Sequence, residues 1–305
     1  MASSTPTPGE FVFYHYDPSL PAACVFIALF GISFALHVFQ MFKFRAWYFV
    51  SFLIGCCFEI VGYIGRALSA AETPNWTTTS YTIQSLTLLL GPALLAASIY
   101  MVLGRLIRFR EAEHLALIRT KWLTKIFVLG DVISFVTQGA GGAILSRAKS
   151  LSDVDLGENI IIAGLAVQIA FFGVFIIVIC LFHYRINRSP TCPCNSVILR
   201  WRPFIWILYG ASILIMVRSV FRVAEYVTGS NGPLMASEVY IYVFDAALMF
   251  MVAAMFNLFH PGKIIRMDHK LTAISESSMR VGLQTLPYAA RRVVDERCVE
   301  ISPLY

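Results

Sequence analysis

A chain of 305 residues with 58% hydrophobic and only 14% charged side chains, at a mean hydropathy of +0.71, lies outside the range of a water-soluble domain. The formal net charge of +6 comes from lysines and arginines gathered at the ends of apolar runs, where they report membrane topology. No basic patch on a soluble fold is available, so a nucleic-acid-binding role is excluded.

In chain order, residues 1–19 lack a basic n-region and read as an extracytoplasmic segment, with the first span acting as an uncleaved anchor. Seven apolar runs follow at Leu20–Phe42, Trp47–Ala70, Ser80–Gly104, Lys121–Ser146, Ile160–His183, Pro203–Tyr226 and Ser237–His260. Each is about 20 residues or longer, the length a helix needs to cross ~30 Å of hydrocarbon. The expected fold is therefore all-α: a polytopic membrane protein with seven transmembrane helices over residues 20–262. A polar cytosolic tail over 263–305 is expected to be disordered and open to phosphorylation at Ser275, Ser277 and Ser278.

Eighteen lysines and arginines fall on the side holding Lys43, the Arg105–Lys121 loop, the Arg185–Arg202 loop and the tail, against Arg147 and Lys149 on the other. This bias places the amino terminus outside and the carboxyl terminus in the cytosol. Asn75-Trp76-Thr77 is then a glycosylation sequon facing out, whereas Asn187-Arg188-Ser189 faces in and stays unused. Seven cysteines supply no disulfide framework, and Cys192-Pro193-Cys194 reads as a turn with reduced thiols.

Beyond the basic start of the fourth span at Lys121 and Lys125, eight charged side chains stand inside the spans: Glu59, Arg66, Asp131, Arg218, Arg222, Glu225, Glu238 and Asp245. A charge near mid-bilayer costs roughly 2.5–3.5 kcal/mol on insertion scales, so each needs a partner, a polar cavity or a ligand. Glu59 and Arg66 share one helix face at seven-residue spacing, as do Glu238 and Asp245, and Asp131 with Gln138. Arg218, Arg222 and Glu225 follow i, i+4, i+7. Glu59, Asp131 and Asp245 lie about halfway along their spans. Arg66, Gln84, Gln138, Arg218, Arg222, Glu225 and Glu238 lie in the outer half. The pattern predicts a polar vestibule opening outward, floored by carboxylates. Bracing by ion pairs such as Glu59–Arg66 or Arg222–Glu238 is the structural alternative.

Other features carry less. Gly91-Pro92 predicts a kink in the third span with a freed carbonyl, and Gly139, Gly141 and Gly142 predict close helix approach in the fourth. His37, His183 and His260 all fall toward the cytoplasmic ends of their spans, but no metal or other cofactor is called for. A phosphate-binding loop, a span-seven lysine for retinal and a G-x-S-x-G nucleophile motif are missing from the chain.

The motif Glu59-Ile60-Val61-Gly62-Tyr63-Ile64-Gly65-Arg66 resembles the signature of the fungal RTA-like proteins, the lipid-translocating exporter family. Further segments fit that family: Gly91-Pro92-Ala93, then Asp131-Val132-Ile133-Ser134-Phe135 with Gln138 and Gly141-Gly142. The Arg218–Tyr226 segment, Gly229, Glu238, Tyr242, Asp245 and His260-Pro261-Gly262 complete the likeness, with Phe221 where the family often has tyrosine. The resemblance implies seven helices in a fungal plasma or internal membrane, and resistance to toxic amphiphiles such as sphingoid long-chain bases and aminosterols.

The expected role is transport, export or flipping of an amphipathic lipid, bound by Glu59, Arg66, Gln84, Asp131, Gln138, Arg218, Arg222, Glu225, Glu238, Tyr242 and Asp245. A midplane acid, Asp131 or Asp245, could couple movement to a gradient. The runner-up is a seven-helix lipid sensor, and a metal-dependent lipid hydrolase built on the three histidines comes third. The partners called for are membrane lipids and an amphipathic small molecule, with a homo-oligomer left open.

Overall fold

The computed structural model describes residues 16–262 apart from 74–75, 110–115, 146, 149, 189–200 and 229–236. Asn75, the Cys192-Pro193-Cys194 turn and the serines of the tail lie outside the described residues. Among the described residues, seven helices are long and apolar enough to cross a membrane. They are α1 (Leu20–Phe44), α2 (Val50–Ala71), α3 (Thr78–Phe109), α4 (Thr120–Leu145), α5 (Leu151–Arg188), α6 (Trp201–Val227) and α7 (Glu238–Leu258). The chain is a multi-pass membrane protein of the all-α class.

Local chemistry sets the helix ends. Ser19 caps α1, its hydroxyl accepting from the Ala22 N–H, and Pro21 occupies a first-turn position where its missing N–H costs nothing. Arg45, at φ 55°, closes α1 in the left-handed conformation, and a 3₁₀ turn at Trp47–Phe49 leads into α2. The helices α3 and α5 outrun their predicted spans, reaching Phe109 and covering Leu151–Arg188. Hydrocarbon thickness limits the apolar run and not the hydrogen-bonded helix. At α5 both ends also suit the helix dipole, with Asp153 in the first turn and Arg185 and Arg188 in the last.

The central helix is α3, with 67% of its apolar window buried against 22% for α1. It touches α2, α4 and α6, while α7 lies between α1 and α6. Small residues allow the closest contacts. A Cβ on Gly62 of α2 would lie 2.5 Å from Leu88 Cδ2 of α3, and one on Gly55 would lie 3.0 Å from the Gly91 oxygen. Between α4 and α5, a Cβ on Gly141 would meet the Gly157 oxygen at 2.8 Å. The expectation for α4 holds for Gly141 only: Gly139 and Gly142 have open space, because they sit on its outward side.

One end of the bundle is closed by an aromatic cluster of Phe49, Phe52, Phe256 and the rings of His37 and His260. A second cluster, Tyr100 with Phe127, Phe172 and Phe175, binds α3 to α4 and α5. In α7 the regular helix gives way to a π-helical stretch at Tyr242–Ala247. Such stretches re-aim side chains, and here Asp245 lies within it.

Candidate functional site

The seven-residue spacings on α2 and α7 become two stacked layers. In the upper layer Arg66, fully buried, donates from Nη2 to Glu238 Oε1 at 2.9 Å and to the Tyr16 hydroxyl at 2.7 Å. Its Nε donates to the Tyr242 hydroxyl at 3.0 Å. The main-chain N–H of Ser19 donates to both Glu238 oxygens, at 2.8 and 3.0 Å. The start of α1 is thus tied to a carboxylate on α7. Burial pushes the Tyr16 phenol pKa up against the opposing pull of Arg66, so it remains a neutral hydroxyl. Where the sequence suggests a vestibule open at this end, Arg66 is shut off and Glu238 is 16% exposed beneath the Tyr16–Ser19 segment.

The deeper layer joins α2, α3, α6 and α7. Arg218 pairs through Nε with Asp245, both almost wholly buried, and its Nη2 donates to the Leu88 carbonyl at 2.6 Å. That carbonyl is the one Pro92 releases, since the imino acid has no N–H to give the residue four positions back. The predicted freed carbonyl therefore exists, and an arginine occupies it. Glu59 lies against Gly91, where an added Cβ would stand 2.7 Å from its Oε1, and is within electrostatic range of Asp245, Arg218 and Arg222. Arg222 donates to Glu225 Oε2 at 2.8 Å along α6, beside Tyr226.

Tyr63 stands between the layers. Its ring stacks with Phe26, Phe30 and Tyr242, and its hydroxyl is near enough to feel Asp245, Glu59, Arg66 and Arg218.

The ion pairs that form are not the two raised from the sequence as the bracing alternative. Arg66 takes Glu238 and not Glu59, and Arg222 takes Glu225 and not Glu238. Spacing along one helix shows which residues share a face; it does not show which neighbouring helix that face meets. Eight of the candidate residues, Glu59, Arg66, Arg218, Arg222, Glu225, Glu238, Tyr242 and Asp245, come together on α2, α6 and α7. Gln84 is buried on α3, its backbone abutting Gly65.

Asp131 and Gln138 belong elsewhere. Gln138 donates to Ser134 Oγ at 2.5 Å and to Gln168 at 3.3 Å, and Ser134 donates to the Gly164 carbonyl at 2.6 Å, all at the α4–α5 contact. Asp131 faces Tyr100 of α3. The three histidines also separate. His37 and His260 rings are 6.2 Å apart, while His183 lies against Tyr209 and Trp206. Among the described residues no three metal-ligating side chains converge.

Sequence reasoning did not single out Tyr16, Ser19, Tyr63 or Tyr100, and it expected a freed carbonyl at Pro92 without assigning it to Leu88. Tyr63 lies inside the Glu59–Arg66 motif, and the carbonyl follows by counting back four from Pro92. The other three carried no signal, because their partners are remote in sequence.

Seven helices enclosing layered ion pairs define a polytopic membrane protein with a charged interior. The family model described as RTA1 like protein matches residues 52–268, and the chain belongs to that family. It is 37% identical over 292 residues to the protoporphyrin uptake protein 1 of Saccharomyces cerevisiae, covering 83% of this chain and 93% of that one. It is 30% identical over 267 residues to the probable lipid transporter atnI of Emericella nidulans, covering 82% and 67% of the two chains. Against the sphingoid long-chain base transporter RSB1 of Saccharomyces cerevisiae the identity is 26% over 303 residues, covering 89% and 78%. No solved structure matches the chain.

Proposed function

We propose that this protein binds an amphipathic lipid in its charged interior and moves it across or out of the membrane, giving resistance to that lipid. The observation that carries this reading is a convergence of unused hydrogen-bonding groups at one place. Arg66 Nη1, Arg218 Nη1 and Arg222 Nε have no acceptor among the described residues, and Glu59 Oε1, Asp245 Oδ2 and the Tyr63 hydroxyl have no partner. Buried polar groups are ordinarily satisfied, and each one left open in hydrocarbon costs several kcal/mol.

An amine flanked by hydroxyls, as in a sphingoid base, offers donors to Glu59 and Asp245 and acceptors to the free arginine N–H groups. The transporter names of two relatives support the same ligand class, and the uptake name of a third supports passage of an amphiphile. The chain acts as a carrier in this reading, at the plasma membrane, with its amino terminus outside as the charge bias requires.

Reconstitution tests it. Purified protein in liposomes should accelerate movement of a labelled sphingoid base between leaflets. Arg222→Ala and Glu225→Ala should abolish that movement, and cellular resistance with it, while protein persists at the membrane. No acceleration by wild-type protein for any amphiphile, with a bound lipid still recovered, would favour sensing over transport.

A further inference from the structure

Asp131 stands apart from the paired charges. It is 5% exposed, and neither carboxyl oxygen has a hydrogen-bond partner among the described residues. The Tyr100 hydroxyl reaches toward it without the geometry of a formed bond. The packed elements bring no cation to it. On α3 the titratable groups are Tyr81 and Tyr100 until Arg105 and Arg108 at the far end, and on α5 only Cys180 lies between Glu158 and His183. Asp153, Asp155, Arg185 and Arg188 are farther out still on α5. On α4 itself Lys121 and Lys125 are exposed, the Lys125 ammonium lying over the Trp122 ring.

A carboxylate buried without a counter-charge neutralises by taking up a proton, because desolvation penalises the charged form alone. We propose that Asp131 is a proton-binding site, protonated in this conformation and exchanging its proton toward the Leu145 end of α4. The direction follows from its surroundings. Toward the start of α4 the same face is sealed by Phe127 with Tyr100, Phe172 and Phe175. Toward Leu145 it continues through Ser134 and Gln138, met by Gln168 from α5, before the apolar contact of Leu145 with Ile161 and Leu165. The step is an ionisation, in which the carboxyl O–H bond breaks and the proton passes to water. The bare carboxylate then needs solvation, so α4 must part from α3 or α5. Proton release is thereby linked to helix packing, and a proton becomes the coupling ion. That last point rests on the transport reading; the protonation does not.

Infrared spectroscopy of the full chain in lipid vesicles tests protonation directly. At neutral pH the wild type should show a protonated-carboxyl C=O band that is lost in Asp131→Asn and moved in Asp131→Glu. A spectrum unchanged by either substitution overturns the proposal. Asn mimics the neutral acid, so failure of Asp131→Asn to fold while Asp131→Glu folds also counts against it. In the second arm, reversing an imposed pH gradient should change wild-type movement of a labelled sphingoid base several-fold and leave Asp131→Asn indifferent. Gradient-independent movement by the wild type overturns the coupling. Absence of lipid movement under every condition refutes the transport reading, and the infrared arm still decides protonation.

Discussion

Arg218 on α6 donates to the main-chain oxygen of Leu88 on α3, the acceptor that Pro92 leaves free. A helix defect in one span is thereby converted into a fixed anchor for a buried cation in another. The same guanidinium pairs with Asp245 in the π-helical stretch of α7, so irregular backbone in two helices converges on a single side chain.

Pro92→Ala should separate helix stability from function. An interior proline costs a helix about 3 kcal/mol relative to alanine, and the restored N–H recaptures the Leu88 carbonyl. The variant should melt in detergent no lower than wild type yet lose resistance activity, because Arg218 has lost its anchor. Unchanged activity would show the anchor to be dispensable.

The Arg66–Glu238 pair makes a different test. Removing one member of a buried pair costs about 3–5 kcal/mol, and less here because Glu238 is 16% exposed. Glu238→Ala, which strands the fully buried Arg66 cation, should therefore lower abundance and melting temperature more than Arg66→Ala, which leaves a partly exposed carboxylate still bonded by the Ser19 N–H. Exchanging the two residues should restore abundance only in part. The Ser19 N–H donates to Glu238 and would face a guanidinium, which accepts nothing. Full recovery of both abundance and activity would reduce the pair to a simple brace.

Adjacent glycines in α4 should behave oppositely. A Cβ at Gly141 meets the Gly157 oxygen at 2.8 Å and the Ile161 nitrogen at 3.0 Å, both backbone atoms that cannot rotate away, whereas Gly142 has open space. Gly141→Ala should destabilise by about 1–3 kcal/mol, as overpacking does. Gly142→Ala should be neutral or slightly stabilising on helix propensity alone. Thermal unfolding in detergent distinguishes them.

The turn into α3 should respond to pH. Glu72 accepts from the Thr77 N–H at 3.0 Å, the Thr77 hydroxyl at 2.9 Å and the Ser80 hydroxyl at 2.9 Å, and these bonds hold its carboxyl below the ordinary range. A depressed carboxyl pKa contributes stability that is fully present above the unfolded value and lost as pH falls through the folded one. Amide exchange at Thr77 and Ser80 should quicken on acidification through that window, and Glu72→Gln should remove the pH dependence. Equal protection at both ends of the window in wild type would contradict this.

The number of spans, the class of fold and the faces carrying charge were legible in the chain itself. Twenty-residue apolar runs can only be satisfied in a bilayer as helices, and a seven-residue repeat of Glu59 with Arg66, or Glu238 with Asp245, must share a face whatever that helix packs against. The Pro92 defect was legible for the same reason, being a property of one residue and its own helix. Tertiary structure alone decided who meets whom: Arg66 with Glu238 and Tyr16, Arg218 with Asp245 and Leu88, and Asp131 with no cation at all. Periodicity is a local property set by 3.6 residues per turn. Partner choice depends on the order and rotation of packed helices, which small-residue contacts such as Gly62 against Leu88 determine across long stretches of chain.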